Sequence, residues 1–210
     1  MAKLLEHPPP REFFDTAAAL LWQQFKADDA AAFGQIADRF YRLLYNYGAQ
    51  FSADPEFIRD CIQEMLLELW ERRARLSDVI SVKAYLLKSL RHRIGREQIR
   101  LQRLNTVEEL AFLSSESIER PVESIIIETE QERVQIQQLQ QLLTELTVRQ
   151  QEIIYLRFYQ QLDYNDIAEI MGLSHQSVAN LLHRTLRNLR ERWPATFLVL
   201  LQLLATWSER

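Results

Sequence analysis

The sequence predicts an all-α protein built as two helical domains joined by an acidic linker. Three observations carry that prediction. Only 4 glycines and 6 prolines occur in 210 residues, 47% of which are apolar, and no run shows the strict alternation of a half-buried strand. Apolar residues instead recur at helical spacing along most of the chain. The net charge of −4 is also unevenly spread. Residues 72–103 hold ten Lys or Arg against Asp78 and Glu97, a balance of +8, whereas residues 104–147 hold nine Glu against Arg120 and Arg133, a balance of −7. A basic island can neutralise phosphates, and an acidic bridge cannot lie on them.

After a PPP segment, Phe14, Ala18, Leu21, Trp22 and Phe25 line one side of a first helix. A break over 26–30 separates it from a second, in which Phe33, Ile36, Ala37, Phe40, Tyr41 and Leu44 share a face. Rings at this density read as core, because each buries a large apolar area. The third helix has a clear start: Asp54 caps it, and Pro55 takes the first position, where a missing N–H costs nothing. Its apolar stripe is Ile58, Cys61, Ile62, Met65, Leu66, Leu69 and Trp70. Asp60, Gln63, Glu64, Glu68, Glu71 and Arg72 lie opposite, as solvated surface or as a docking site.

A short loop, LSDVIS, then leads to a helix over about 82–103. Tyr85, Leu86, Leu90 and Ile94 are expected to bury one side, leaving Lys88, Arg91, His92, Arg96 and Arg100 outside. A basic face with an adjacent aromatic suits a nucleic-acid backbone or unstacked bases. A merely solvated charged face is the competing reading, and the shortage of compensating acids counts against it. Residues 105–120 read as a Ser- and Glu-rich linker, and Pro121 opens a glutamine-rich helix. Thr147 with Gln150 forms a capping-box pattern, ahead of a supporting helix with Ile153, Ile154, Leu156 and Phe158. Pro194 ends the last long helix. The tail beyond it carries Phe197, Leu198, Leu200, Leu201, Leu203, Leu204 and Trp207, too many apolar groups for a freely solvated end. It is expected to pack internally or to bind a partner.

The densest motif lies at Asp163–Arg192. Asp163 caps a short helix whose Ile167, Ile170 and Met171 face inward. Gly172 supplies a left-handed turn residue, Leu173 points inward, and Ser174 caps a second helix. In that helix Val178, Leu181, Leu182, Thr185 and Leu189 face a core, whereas Gln176, Ala179, Asn180, His183 and Arg187 face away. Ala168, Gly172 and Val178 stand where a helix-turn-helix needs a small crossing residue, a turn glycine and an apolar wedge. The second helix of such a motif enters the major groove of DNA. An ordinary αα-hairpin with a glycine corner has the same pattern, so the motif leaves both readings open.

Several classes find no support. Cys61 is the lone cysteine, and His7, His92, His175 and His183 lack metal-ligand spacing. No nucleophile–base arrangement and no phosphate-cradling glycine loop is present, so neither catalytic residues nor a cofactor is expected. The start lacks a signal-peptide core, and the apolar tail is far short of the ~20 residues that span a bilayer. A cytoplasmic protein without membrane insertion is expected.

The segment LTVRQQEIIYLRFYQQLDYNDIAEIMGLSHQSVANLLHRTLRNLRE resembles the promoter-reading region 4 of extracytoplasmic-function (ECF) sigma factors. DAAAFGQIADRFYRLLYNYG, RDCIQEMLLELWERR and VKAYLLKSLRHRIGREQIR resemble their region 2, in the same order. The resemblance implies an N-terminal domain over 1–104, an acidic linker and helix over 105–135, a helix-turn-helix domain over 136–193 and an apolar tail over 194–210. It implies core RNA polymerase and promoter DNA as partners, with an anti-sigma factor or a DNA-targeting recruiter as a further one. Polymerase docking would fall to Asp60, Gln63, Glu64, Glu68, Trp70 and Arg72. The loop after Arg75, with Lys83, Tyr85, Lys88, Arg91, His92 and Arg96, would capture and help melt the minus-ten element. His175, Gln176, Ala179, Asn180, His183, Arg184 and Arg187 would face the minus-thirty-five element.

The departures from the family pattern carry their own expectation. His92 replaces a usual asparagine, and Arg96 a common aspartate. In the second hairpin helix, Ala179 and Leu181 stand where relatives often place basic residues. Those cations make phosphate and guanine contacts, so minus-thirty-five readout is expected to be weakened. A sigma-derived adaptor brought to DNA by a partner, and a helix-turn-helix regulator of another type, are the alternatives.

Overall fold

The computed structural model describes residues 12–105 and 146–192, and among the described residues every regular element is helical. The chain divides into two compact units. The first holds α1 (Glu12–Lys26), α2 (Ala30–Gly48), α3 (Pro55–Arg72) and α4 (Val82–Asn105). The second holds α5 (Val148–Ile154), α6 (Tyr164–Met171) as far as Ala168, and α7 (His175–Arg192). The PPP segment, the Phe14 side chain, the linker beyond Asn105, the helix expected over the glutamine-rich stretch and the apolar tail from Pro194 lie outside the described residues.

Local signals set the boundaries of the first unit. Asp29 accepts hydrogen bonds from the Ala31 and Ala32 N–H groups, and Asp54 from those of Glu56 and Phe57, so each carboxylate satisfies donors that the first turn leaves free. Asp28 adopts φ 75°, the left-handed turn that reverses the chain between α1 and α2. The core gathers Trp22, Phe25, Ile36, Leu44, Tyr47, Ile58, Ile62, Leu86, Leu87, Leu90 and Ile94, each at most 2% exposed. Burying one such side chain stabilises the fold by about 1.5–3 kcal/mol. Gly48 is fixed by close approach: a Cβ there would lie 2.7 Å from Ile58 Cγ2.

Several positions of the expected stripes differ. Tyr41 is 38% exposed, because Ile36, Phe40 and Leu44 take the inward line and leave Tyr41 about 100° round the helix. Leu66 and Trp70 are half-buried rather than enclosed.

In the second unit Thr147 and Gln150 form the reciprocal capping box. The helix they open is short and widens into a π turn over Tyr155–Tyr159. There Tyr155 and Tyr159 stack with centroids 5.1 Å apart, and Gln160 Nε2 donates to the Tyr155 hydroxyl at 2.8 Å. Burial pushes that hydroxyl's pKa upward. Phe158 is half-buried, while Ile153, Ile154 and Leu156 carry the packing.

The hairpin follows. Asp163 accepts from the Asp166 N–H, and Gly172 takes φ 63° and ψ 41°. The Leu173 N–H returns to the Ala168 carbonyl at 2.9 Å, and Ser174 Oγ accepts from the Ser177 N–H at 3.2 Å. Val178 is the wedge, fully buried alongside Ile167, Ile170 and Thr185. Leu181 and Leu173 are half-buried rather than in the core. Leu182 and Leu189, expected inward with them, are buried.

Candidate nucleic-acid interface

On α7, the face turned from the core begins with His175 and Gln176. The His175 ring lies 5.4 Å from that of Tyr164, whose face also receives the Arg157 guanidinium at 5.2 Å. Gln176 Nε2 donates to Asn180 Oδ1 at 3.1 Å. Ala179, between them in sequence, is half-buried. His183 and Arg184 are exposed. Arg184 folds back, its Nε donating to the Asn180 carbonyl at 3.3 Å, and Arg187 pairs with Glu191 at 3.5 Å. The first two turns therefore present amides and imidazoles, and the guanidinium groups begin later.

The α4 candidates split into two groups. His92 and Arg96 are exposed, whereas Lys83, Tyr85, Lys88 and Arg91 are half-buried. Tyr85 packs edge-on to Trp22, centroids 5.1 Å apart, so its ring serves the bundle while its rim stays open. Arg93 was not among the expected site residues. Its side chain is 14% exposed and pairs with Glu64 and with Glu68, the latter at 2.6 Å, and stands 3.5 Å from Glu97. Arg96 reaches Glu68 at 3.4 Å. Arg100 donates to Glu97 at 2.6 Å, and this bond holds the Glu97 carboxyl below the usual carboxylate range.

These pairs divide the polar side of α3. Asp60, Gln63 and Arg72 remain exposed, whereas Glu64 and Glu68 are engaged by α4. Trp70 joins an aromatic cluster, 5.2 Å from Phe33 and 6.2 Å from Phe25, with the Arg73 guanidinium 4.2 Å over its ring. Leu67, absent from the expected set, is 61% exposed beside Gln63 and Glu71.

The loop between α3 and α4 is held by α1. Trp22 Nε1 donates to the Ser77 carbonyl at 3.3 Å, and Gln23 and Lys26 both donate to Asp78. The Lys26 bond, then that of Gln23, hold the Asp78 carboxyl below the usual range. Two residues on, Ile80 is 97% exposed, an apolar side chain on a tethered loop. Its position inside LSDVIS was the available signal for it. Among the described residues no cluster of metal-ligating side chains occurs, and no helix is long and apolar enough to cross a membrane.

With this geometry in hand, comparison with known proteins gives the class. The family model for Sigma-70 region 2 matches residues 36–103, and that for Sigma-70, region 4 matches residues 136–189. The chain belongs to the sigma-70 family, as an ECF sigma factor. It is similar to the ECF RNA polymerase sigma factor SigK of Mycobacterium sp. (strain KMS), 22% identical over 190 residues covering 89% of this chain and 95% of that one. SigK of Mycobacterium tuberculosis (strain ATCC 25177 / H37Ra) is 20% identical over 182 residues, covering 87% and 95%. Among solved structures, the fold is similar to the sigma factor RpoE of Bartonella quintana, solved with the anti-sigma factor NepR (TM-score 0.60, 20% identity, 78% of this chain and 97% of that one). It is also similar to CnrH, solved with the cytosolic domain of CnrY (TM-score 0.55, 17% identity, 89% and 98%).

Proposed function

We propose that this ECF sigma factor binds core RNA polymerase through the exposed part of the α3 polar face and directs the enzyme to promoters. One observation carries the reading: a single bundle has an exposed polar strip on α3 and a cation-rich face on α4, tied together by Arg93. Asp60 and Gln63 would make the polymerase contact, with Leu67 as its apolar centre, since a desolvated apolar anchor within a polar rim is how such patches gain affinity. Lys83, Lys88, Arg91, His92 and Arg96 would meet the promoter backbone around minus ten. The tethered loop with Ile80, and the open rim of Tyr85, would sit against unpaired bases there. The role is binding and positioning, and it asks for no covalent chemistry from the chain. An anti-sigma factor is the expected restraint, by likeness to the RpoE–NepR pair.

Minus-thirty-five readout would be weakened, because Ala179 and Leu181 bring no cation to the groove. The same two residues favour a second reading, in which another protein brings the complex to DNA.

The test is a titration of labelled full-length chain with core polymerase, followed by transcription from a randomised promoter library. Asp60→Lys with Gln63→Lys should weaken core binding at least tenfold while the helical circular-dichroism signal stays intact. A wild-type chain that forms no complex and yields no specific start sites would overturn the proposal. Start sites that appear only with a partner added would favour the adaptor reading.

A further inference from the structure

We infer that Gln176 and Asn180 act as one unit that selects a single adenine in the major groove, with Asn180 the reading residue and Gln176 its positioning residue. The inference rests on the promoter-binding reading of α7 and adds to it a base and the division of roles between two of its residues.

The bond from Gln176 Nε2 to Asn180 Oδ1, 3.1 Å across one turn of exposed helix, fixes which end of the Asn180 amide accepts and which donates. Asn180 Oδ1 keeps a second lone pair and Nδ2 keeps two hydrogens. Among the described residues no further side-chain partner engages either group. Adenine presents an N6–H donor beside an N7 acceptor, and a fixed amide meets both at once. Guanine presents two acceptors, O6 and N7, which ask for a two-donor fork such as arginine. No such fork competes in the first two turns. Arg184 is folded back on the Asn180 carbonyl, and Arg187 is paired with Glu191 one turn later. Ala179, half-buried beside the pair, is small enough to let the two amides approach the base edge. The free-side-chain entropy of Gln176 is already spent in the brace, so less is lost on binding.

The experiment selects binding sites from duplex DNA randomised over the upstream promoter element. It is run with the full chain alone and with the complex it forms with core polymerase. Wild type should enrich adenine at one position. Replacing that base by guanine, or by 7-deazaadenine, should weaken binding about fivefold to a hundredfold, the span of one bidentate contact. Asn180→Asp keeps the shape but removes the donor, and should abolish adenine preference at that position alone, moving it toward cytosine. Gln176→Ala should reduce the preference only in part and leave neighbouring positions unchanged. Enrichment of guanine, no enriched base, or adenine preference that survives Asn180→Asp would overturn the inference. Core binding is measured separately on the same samples. A chain that fails to bind polymerase yet still selects adenine sinks the sigma-factor reading and leaves this one standing.

Discussion

Arg93 has more asked of it than any other single residue in the first unit. Its guanidinium sits between α3 and α4 against Glu64, Glu68 and Glu97, and its Nε is buried without a hydrogen-bond partner among the described residues. The pair lies between the surface case, where an ion pair is worth little, and the buried case, where removing one partner strands a charge. Glu64 is half-exposed and Arg93 only 14% exposed, so Arg93→Met should cost about 1–3 kcal/mol in chemical denaturation, with the loss falling on the helix pair. An unchanged midpoint would show that the cluster contributes no net stability. Cys61 makes the opposite kind of case. It is 2% exposed, and burial, then the Glu97 charge, push its thiol from 9.0 to about 11. Between those values the unfolded chain loses its thiol proton and the folded chain keeps it, so stability falls as pH rises through that window. At pH 8 the native thiol should resist iodoacetamide and the denatured chain should not. Rapid native alkylation would contradict the burial.

Elements were legible from the sequence where a boundary depends on one residue and its immediate neighbours. Asp54–Pro55, Thr147 with Gln150, and Asp163–Gly172–Ser174 announce their helices because capping and left-handed turns are local physics. Contacts between helices were not legible. Nothing in the spacing of α4 says that Arg93 turns toward α3 rather than toward DNA, because that depends on where the two helices cross. The same limit hid the fate of Glu64, Glu68 and Trp70. Tyr41 and Leu181 were misplaced for a simpler reason: each sits one position from the true inward line, within the drift of a 3.6-residue period. The loop between α3 and α4 shows what the crossing adds. Its anchor is Asp78, held by Lys26 and Gln23 from α1, and the depressed carboxyl pKa means the clasp is present above about pH 3.8 and lost as pH falls through the folded value. Asp78→Ala should leave the circular-dichroism melt nearly unchanged while protease cleavage within 76–81 speeds up and promoter opening, read by permanganate, falls. Unchanged cleavage would mean that Trp22 alone holds the loop.

At the scale of the whole chain, the proposed promoter reading turns on the charge distribution. Residues 72–103 carry the +8 balance, whereas the early turns of α7 offer amides and imidazoles, with Ala179 at a position where the family often has a cation. A phosphate contact is read most directly by salt dependence, because each neutralised phosphate releases condensed counterions and contributes a slope of about −0.9 in log affinity against log salt. Ala179→Arg therefore makes the argument quantitative. The half-buried Cβ of Ala179 is no obstacle, since an arginine stem can lie along the helix surface with its head outward. If minus-thirty-five readout is weakened by a missing cation, as proposed, the variant should bind minus-thirty-five duplex more tightly at low salt, by about one phosphate's worth of slope, and should gain transcription from promoters with that element intact. The comparison is made on paired templates, one native and one with the minus-thirty-five element scrambled. Wild-type protein should lose on scrambling no more than the one adenine contact of Asn180 supplies, and Ala179→Arg should lose more. A wild-type holoenzyme whose activity collapses on the scrambled template would show that α7 already reads the element in full, and that the basic stretch 72–103 is not the main source of promoter choice.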